Sequence, residues 1–247
     1  MRTQNRGGGS GVHRARASAA SVTAALRDVA GLGGFFALRT GGRDHGWHPV
    51  ARSYAEGFTD LAEAVARRHR TREPRVDVSI AQLGHAARLW SPALACVVLH
   101  GIVLDLDGLQ RADDGPVLRL PRPAGLHVDR LDDGPAHALY QQVTRHLSAL
   151  ADGLRVKVAP RLLDGNSASA LTGAAQALLG HRPAARRPLT DLTTTLLDTG
   201  RLAGTGTLTG PDLTFRRLSC CLYYRAPDGS KCGDCGLADR ARGRVPR

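Results

Sequence analysis

Four cysteines near the C-terminus, Cys220, Cys221, Cys232 and Cys235, set in the spacing C-C-x10-C-x2-C, constrain this chain more than any other feature. A C-x-x-C pair brings two sulfurs to one centre because the turn between them curls back, and Gly233 is expected to ease that curl. Adjacent cysteines on extended backbone point to opposite faces, so both reach a common centre only where the backbone bends or the centre is wide. A diiron centre is wider than a single zinc ion and suits the adjacent pair better. A structural zinc knuckle, a disulfide-stapled tail and an unmetallated thiol cluster are the other readings of the same spacing.

Compartment weighs metal against disulfide. The stretch MRTQNRGGGSGVHRARAS holds no apolar run that would serve as a signal-peptide core, and no later stretch approaches a membrane span. The chain is therefore expected in the cytoplasm, where thiols stay reduced and clustered cysteines bind metal. Its net charge of +12 comes almost entirely from arginines scattered along the sequence, which argues against nucleic-acid binding. Acidic proteins, anionic chelates and the anionic inner face of the membrane are the compatible partners, the last as a loose peripheral contact.

With 42% hydrophobic but only 4% aromatic residues, the composition favours helices packed through Leu, Val and Ala. Residues 1–18 read as a disordered basic tail, 19–200 as a helical body, and 201–247 as a linker followed by the cysteine segment. Helical spacing runs over Ser21–Ala30, and Ser53 with Glu56 forms a capping-box pattern ahead of Phe58, Leu61, Ala62 and Val65. Asp77 is expected to cap a helix carrying Ile80, Leu83, Ala87 and Trp90, with Ser91-Pro92 ending it and starting another through Leu94, Val97 and Val98. Between Leu104 and Leu120, Asp107-Gly108 and Asp114-Gly115 predict a small hairpin with positive-φ turns. Helical spacing returns from Leu139 to Leu154, after Gly165-Asn166, where Asn166 and Ser169 are expected to cap, and from Pro188 to Asp198. The fold class expected is α+β: a predominantly α-helical body with a small β-hairpin and a short C-terminal metal-binding segment.

The cysteines stand in the text RRLSCCLYYRAPDGSKCGDCGL, residues 216–237. This resembles the C-terminal signature of the FhuF-type ferric siderophore reductases. HAARLWSP (His85 to Pro92) and LLDGNSASALTGAA (Leu162 to Ala175) resemble segments of that family's body, so the resemblance spans most of residues 75–240. The family often has an aromatic residue before Gly-Asn, where this chain has Asp164; if that position lines the substrate site, siderophore preference differs here.

The resemblance implies an oxidoreductase that passes one electron at a time to siderophore-bound Fe(III), through a [2Fe-2S] cluster held by Cys220, Cys221, Cys232 and Cys235. It implies a hydroxamate or catecholate substrate. No G-x-G-x-x-G lies between a strand and a helix, so the electrons are expected from an external donor such as a ferredoxin or a reduced flavin. A zinc-stabilised binding module, and a siderophore-binding or carrier protein with a non-catalytic cluster, are the alternative readings.

Arg88, Trp90 and Asn166 are candidates for substrate contact or for positioning the cysteine segment, Trp90 also reading as plain core. Arg217, Arg225 and Lys231 would favour the more negative reduced cluster and attract an anionic chelate or an acidic donor; their bland reading is a solvated basic face. His45-x-x-His48 reads as loop rather than metal site, and Cys96, in ALACVVLH, as a buried small residue.

Overall fold

Leu, Val and Ala at helical spacing produce seven α-helices among residues 16–237, the part of the chain that the computed structural model describes. They are α1 (Ala19–Ala30), α2 (Val50–Ala55), α3 (Thr59–His69), α4 (Pro74–His100), α5 (Gly134–Gly153), α6 (Pro160–His181) and α7 (Arg186–Leu197). Nine short strands complete the α+β fold: β1 (Arg16–Ala17), β2 (Arg39–Thr40), β3 (Trp47–Pro49), β4 (Ile102–Leu104), β5 (Gln110–Ala112), β6 (Leu118–Leu120), β7 (Gly125–His127), β8 (Gly206–Leu208) and β9 (Phe215–Arg217). They form three small sheets, ordered β1-β7-β4, β2-β6-β5-β3 and β8-β9.

The central element is α4, which packs most extensively against α6 and also touches α3, α5 and α1. The sequence reading expects two helices meeting at Ser91-Pro92, but α4 runs unbroken through Pro92. A proline inside a helix removes one backbone hydrogen bond and crowds the preceding turn, at about 3 kcal/mol. The turn around it is fully inside: Trp90, Ala93, Leu94, Ala95 and Cys96 are all buried, and that packing outweighs the local penalty. Asp77 lies within the first turn and accepts from Thr71 Oγ1 at 2.5 Å, with Pro74 at the helix start.

The Ser53–Glu56 capping box does not form: Ser53 sits inside α2, and α3 begins at Thr59 after Phe58 adopts a left-handed conformation, φ 58°. Asn166 does not cap a helix either, because α6 starts at Pro160 and carries Asn166 as a buried interior residue. The β5–β6 hairpin is present, with Gln110 opposite Arg119, but neither Gly108 nor Gly115 has a positive φ. Residues 1–15 of the expected tail lie outside the described residues, while Arg16–Ala17 pairs with β7 and Ser18 caps α1.

A buried polar chain ties the helices together. His146 Nε2 lies 3.1 Å from the Leu106 carbonyl, which can only accept, so His146 carries its proton on Nε2. Its Nδ1 then accepts from the Tyr54 hydroxyl at 3.3 Å, and that oxygen accepts from His85 Nε2 at 2.7 Å. Burial raises the Tyr54 pKa and pushes His85 down to about 3 and His146 down to about 4, so all three groups are neutral.

His48 is equally structural. It bridges Asp113 at 2.6 Å and Ser53 at 2.8 Å, while His45 is exposed, so the two imidazoles form no pair. No helix among the described residues is long and apolar enough to cross a membrane.

Candidate metal centre

Strand β9 delivers the chain into the cysteine segment, which folds over the N-terminal part of α4 and the N-terminal half of α6. Arg217 donates its backbone N–H to the Asp234 carbonyl at 3.0 Å, and Leu218 donates to Thr205 at 2.8 Å. Ser79 on α4 donates to the Cys221 carbonyl at 2.7 Å, and Ser169 on α6 bonds the Asp234 carboxylate. Two exposed ion pairs, Arg70–Asp228 and Glu73–Arg225, fasten the outer loop to the α3–α4 connection.

The curl of the segment depends on glycines other than the one the sequence reading favours. A side chain at Gly233 would meet only open space, whereas a Cβ at Gly229 would overlap the Tyr223 carbonyl. Gly165 on α6 is a close approach between segment and body: a Cβ there would overlap Ser219 Oγ and press on Arg217 Nη2.

All four cysteines are free thiols in this structure. Cys221 and Cys235 are buried, and Cys220 and Cys232 are partly open. Cys221 Sγ and Cys232 Sγ lie 3.6 Å apart. The hydrogen bond between them, with Cys232 as donor, lowers Cys221 to about 6 and raises Cys232. Burial raises Cys220, and the neighbouring Cys221 and Cys235 raise it further. Backbone N–H groups are aimed at the sulfurs: Leu222 donates to Cys220 Sγ at 3.3 Å and Tyr223 donates to Cys221. Among the described residues no three His, Cys, Asp or Glu side chains close around a single-ion position. Cys220 lies within electrostatic reach of Cys221 and Cys235, so the four side chains share one neighbourhood.

Arg217 supplies the strongest test of fit. It is fully buried, its Nη2 donates to Asn166 Oδ1 at 2.6 Å, and its Nε and Nη1 have no hydrogen-bond partner. A buried cation without a counter-charge costs several kcal/mol. Its field reaches both Cys220 and Cys221, so an anionic iron–sulfur–thiolate centre held by these cysteines provides the missing charge.

The expected contact residues separate into groups. Trp90, Asn166 and Arg217 are completely buried and do not face a solvent-borne substrate. Trp90 donates to Ser167 Oγ at 3.0 Å inside the α4–α6 interface, so it is core. Asn166 positions the cysteine segment: its amide donates to Ser79 O, Ser79 Oγ and Gln82 Oε1, leaving Oδ1 for Arg217. Arg225 is tied to Glu73, and Lys231 is exposed and reaches the Leu237 carbonyl at 3.4 Å. Arg88 lines a cavity, stacked on the Phe35 ring with its Nη1 on the Gly84 carbonyl. Asp164 is ion-paired with Arg201 at 2.9 Å. Ser79, Gln82 and Gly165 escape sequence reading; the usable signal is that Ser79 and Gln82 are polar residues within a largely apolar helix.

Residues 217–236 match the family model of the FhuF 2Fe-2S C-terminal domain, which identifies the four-cysteine site as a [2Fe-2S] site. No curated protein and no solved structure matches the chain.

Proposed function

We propose, from the premise that this chain carries an FhuF-type 2Fe-2S C-terminal domain, that it is a ferric siderophore reductase. It takes single electrons from an external donor, a ferredoxin or a reduced flavin, and passes them to siderophore-bound Fe(III). The observation that carries this reading is the buried Arg217 beside the four-cysteine segment. Bound there, the [2Fe-2S] group supplies one-electron redox chemistry.

The protein's own residues hold the site and set its energy. Cys220, Cys221, Cys232 and Cys235 provide the four thiolates. The Arg217 guanidinium and the N–H groups of Leu222 and Tyr223 stabilise negative charge on them, which favours the reduced state. Ser79, Asn166 and Ser169 fix the segment on the helical body so that these donors stay aimed.

One electron added to the chelate is itself the release step. Hydroxamate and catecholate oxygens hold hard Fe(III) tightly and Fe(II) weakly, so Fe(II) leaves and solvent protons take its place on the ligand oxygens.

The test uses anaerobically purified protein. We expect a red-brown colour with about two irons and two sulfides per chain. On mixing the dithionite-reduced protein with a panel of ferric siderophores, visible absorbance should return as a ferrous chelator traps Fe(II). Colourless, zinc-loaded protein would instead mark a zinc-stabilised binding module, and siderophore binding without electron transfer a carrier.

A further inference from the structure

Two cavities flank the cysteine segment's contact with α4. One, of about 360 Å³, lies between α3 and α4; the other, of about 580 Å³, lies between α4 and α6. Phe35, Ile80 and Gly84 belong to both, so the cavities are the two halves of one groove divided by a ridge on α4. Phe35, 45% exposed despite its size, packs where the two halves meet, with the Arg88 guanidinium 4.9 Å from its ring centre.

The groove has a sign. Arg68 and Arg88 line the smaller half and no carboxylate lines either half, while His85, which also borders the smaller half, is neutral. Arg88 is half-buried, and its partners are a backbone carbonyl and an aromatic ring. A cation kept this way retains its charge for a ligand. The remaining wall is apolar.

The groove is also wired to the metal segment. The His69 ring meets the Tyr223 ring edge-on at 5.4 Å, and the Tyr223 backbone N–H bonds Cys221. Ser79, next to Ile80, holds the Cys221 carbonyl, and Ser169, which lines the larger half, holds Asp234 between Cys232 and Cys235.

We propose that this divided groove seats the ferric chelate, and that it selects chelates of net negative charge over neutral or cationic trishydroxamates. The inference rests on the reductase reading for the substrate's chemistry, and on the groove's charge and its contacts with the cysteine segment for its place. Arg68 and Arg88 take the anionic oxygens around the iron, and the larger apolar half takes the chelate's carbon skeleton.

The experiment is calorimetric titration of the oxidised holoprotein with ferric aerobactin (an anionic citrate-hydroxamate), ferric enterobactin (an anionic tris-catecholate) and ferrioxamine B (a cationic trishydroxamate). At low salt at least one anionic chelate should bind about tenfold tighter than ferrioxamine B, an advantage that shrinks with added salt. Which of the two binds tells a carboxylate-hydroxamate site from a catecholate site. In R68Q/R88Q the preference should vanish while the visible spectrum of the holoprotein is unchanged.

Gly173→Phe provides a second variant, because a side chain at Gly173 points into free space in the larger half and the helix tolerates it. It should block anionic chelates without touching a charge. Equal or tighter binding of ferrioxamine B, or anionic binding unaltered in both variants, would overturn the proposal. If the reduced wild-type protein still reduces ferrioxamine B in that case, the reductase reading survives alone. Anionic chelates that bind in the groove but never reoxidise the reduced protein would leave the groove and remove the reductase.

Discussion

The Arg217 guanidinium donates to Asn166 Oδ1 across 2.6 Å, and this bond places an unneutralised cation inside the protein beside the metal-binding cysteines. Asn166 is neutral, so it orients Arg217 without cancelling its charge. Asn166→Asp would put a carboxylate in the same position, and the reduction potential should fall by tens of millivolts. A drop of about 59 mV corresponds to a tenfold weaker preference for the reduced state. Arg217→Gln should move the potential the same way. Potentiometric titration followed by visible absorbance checks both, and an unchanged potential in Asn166→Asp would show that the charge of Arg217 does not reach the cluster.

Gly165→Ala tests how the segment is seated. The added methyl group would push Ser219 and Arg217 off α6, while alanine suits the helix itself better than glycine. We expect iron and sulfide per chain to drop severalfold while far-UV circular dichroism keeps the helical signal. Full cluster content would mean that the segment docks without this close approach.

Acid should weaken the helical body through its two buried histidines. His85 and His146 are held neutral, at about 3 and about 4 against the ordinary 6.5. A depressed folded-state pKa adds stability that is complete above about pH 6.5 and is lost as the pH falls towards the folded values, at up to about 1.4 kcal/mol per pH unit for each histidine. Urea midpoints should therefore fall steadily between pH 6.5 and pH 4. Tyr54→Phe removes the hydroxyl that both imidazoles share, and should cost about 1–3 kcal/mol at neutral pH.

The cysteine quadruplet, the mostly helical α+β class and several helix positions are legible in the sequence because each depends on local spacing. What is not legible depends on contacts between distant residues. Pro92 reads as a stop because the local rule is strong, and only the burial of Trp90 through Cys96 overrides it. Asn166 reads as a cap because Asn after Gly usually is one, whereas its partners, Ser79, Gln82 and Arg217, come from elements far away in the chain. Arg217 itself reads as a surface charge among many arginines; its burial follows from a strand, β9, that only pairs once β8 is placed beside it. Replacing Pro92 by Ala should accordingly stabilise the protein, by up to about 3 kcal/mol if the neighbouring side chains keep their positions. Thermal unfolding of the variant decides it.

The unbroken α4 extends about 40 Å, at 1.5 Å for each of its 27 residues. Ser79 near one end grips the Cys221 carbonyl, and His100 at the other bonds Asp28 of α1. An electron-carrying group mounted on such a beam is a fixed station rather than a swinging arm. On the proposed reductase reading, turnover should therefore respond to solvent viscosity and to the concentrations of donor and ferric chelate more than to any hinge among the described residues.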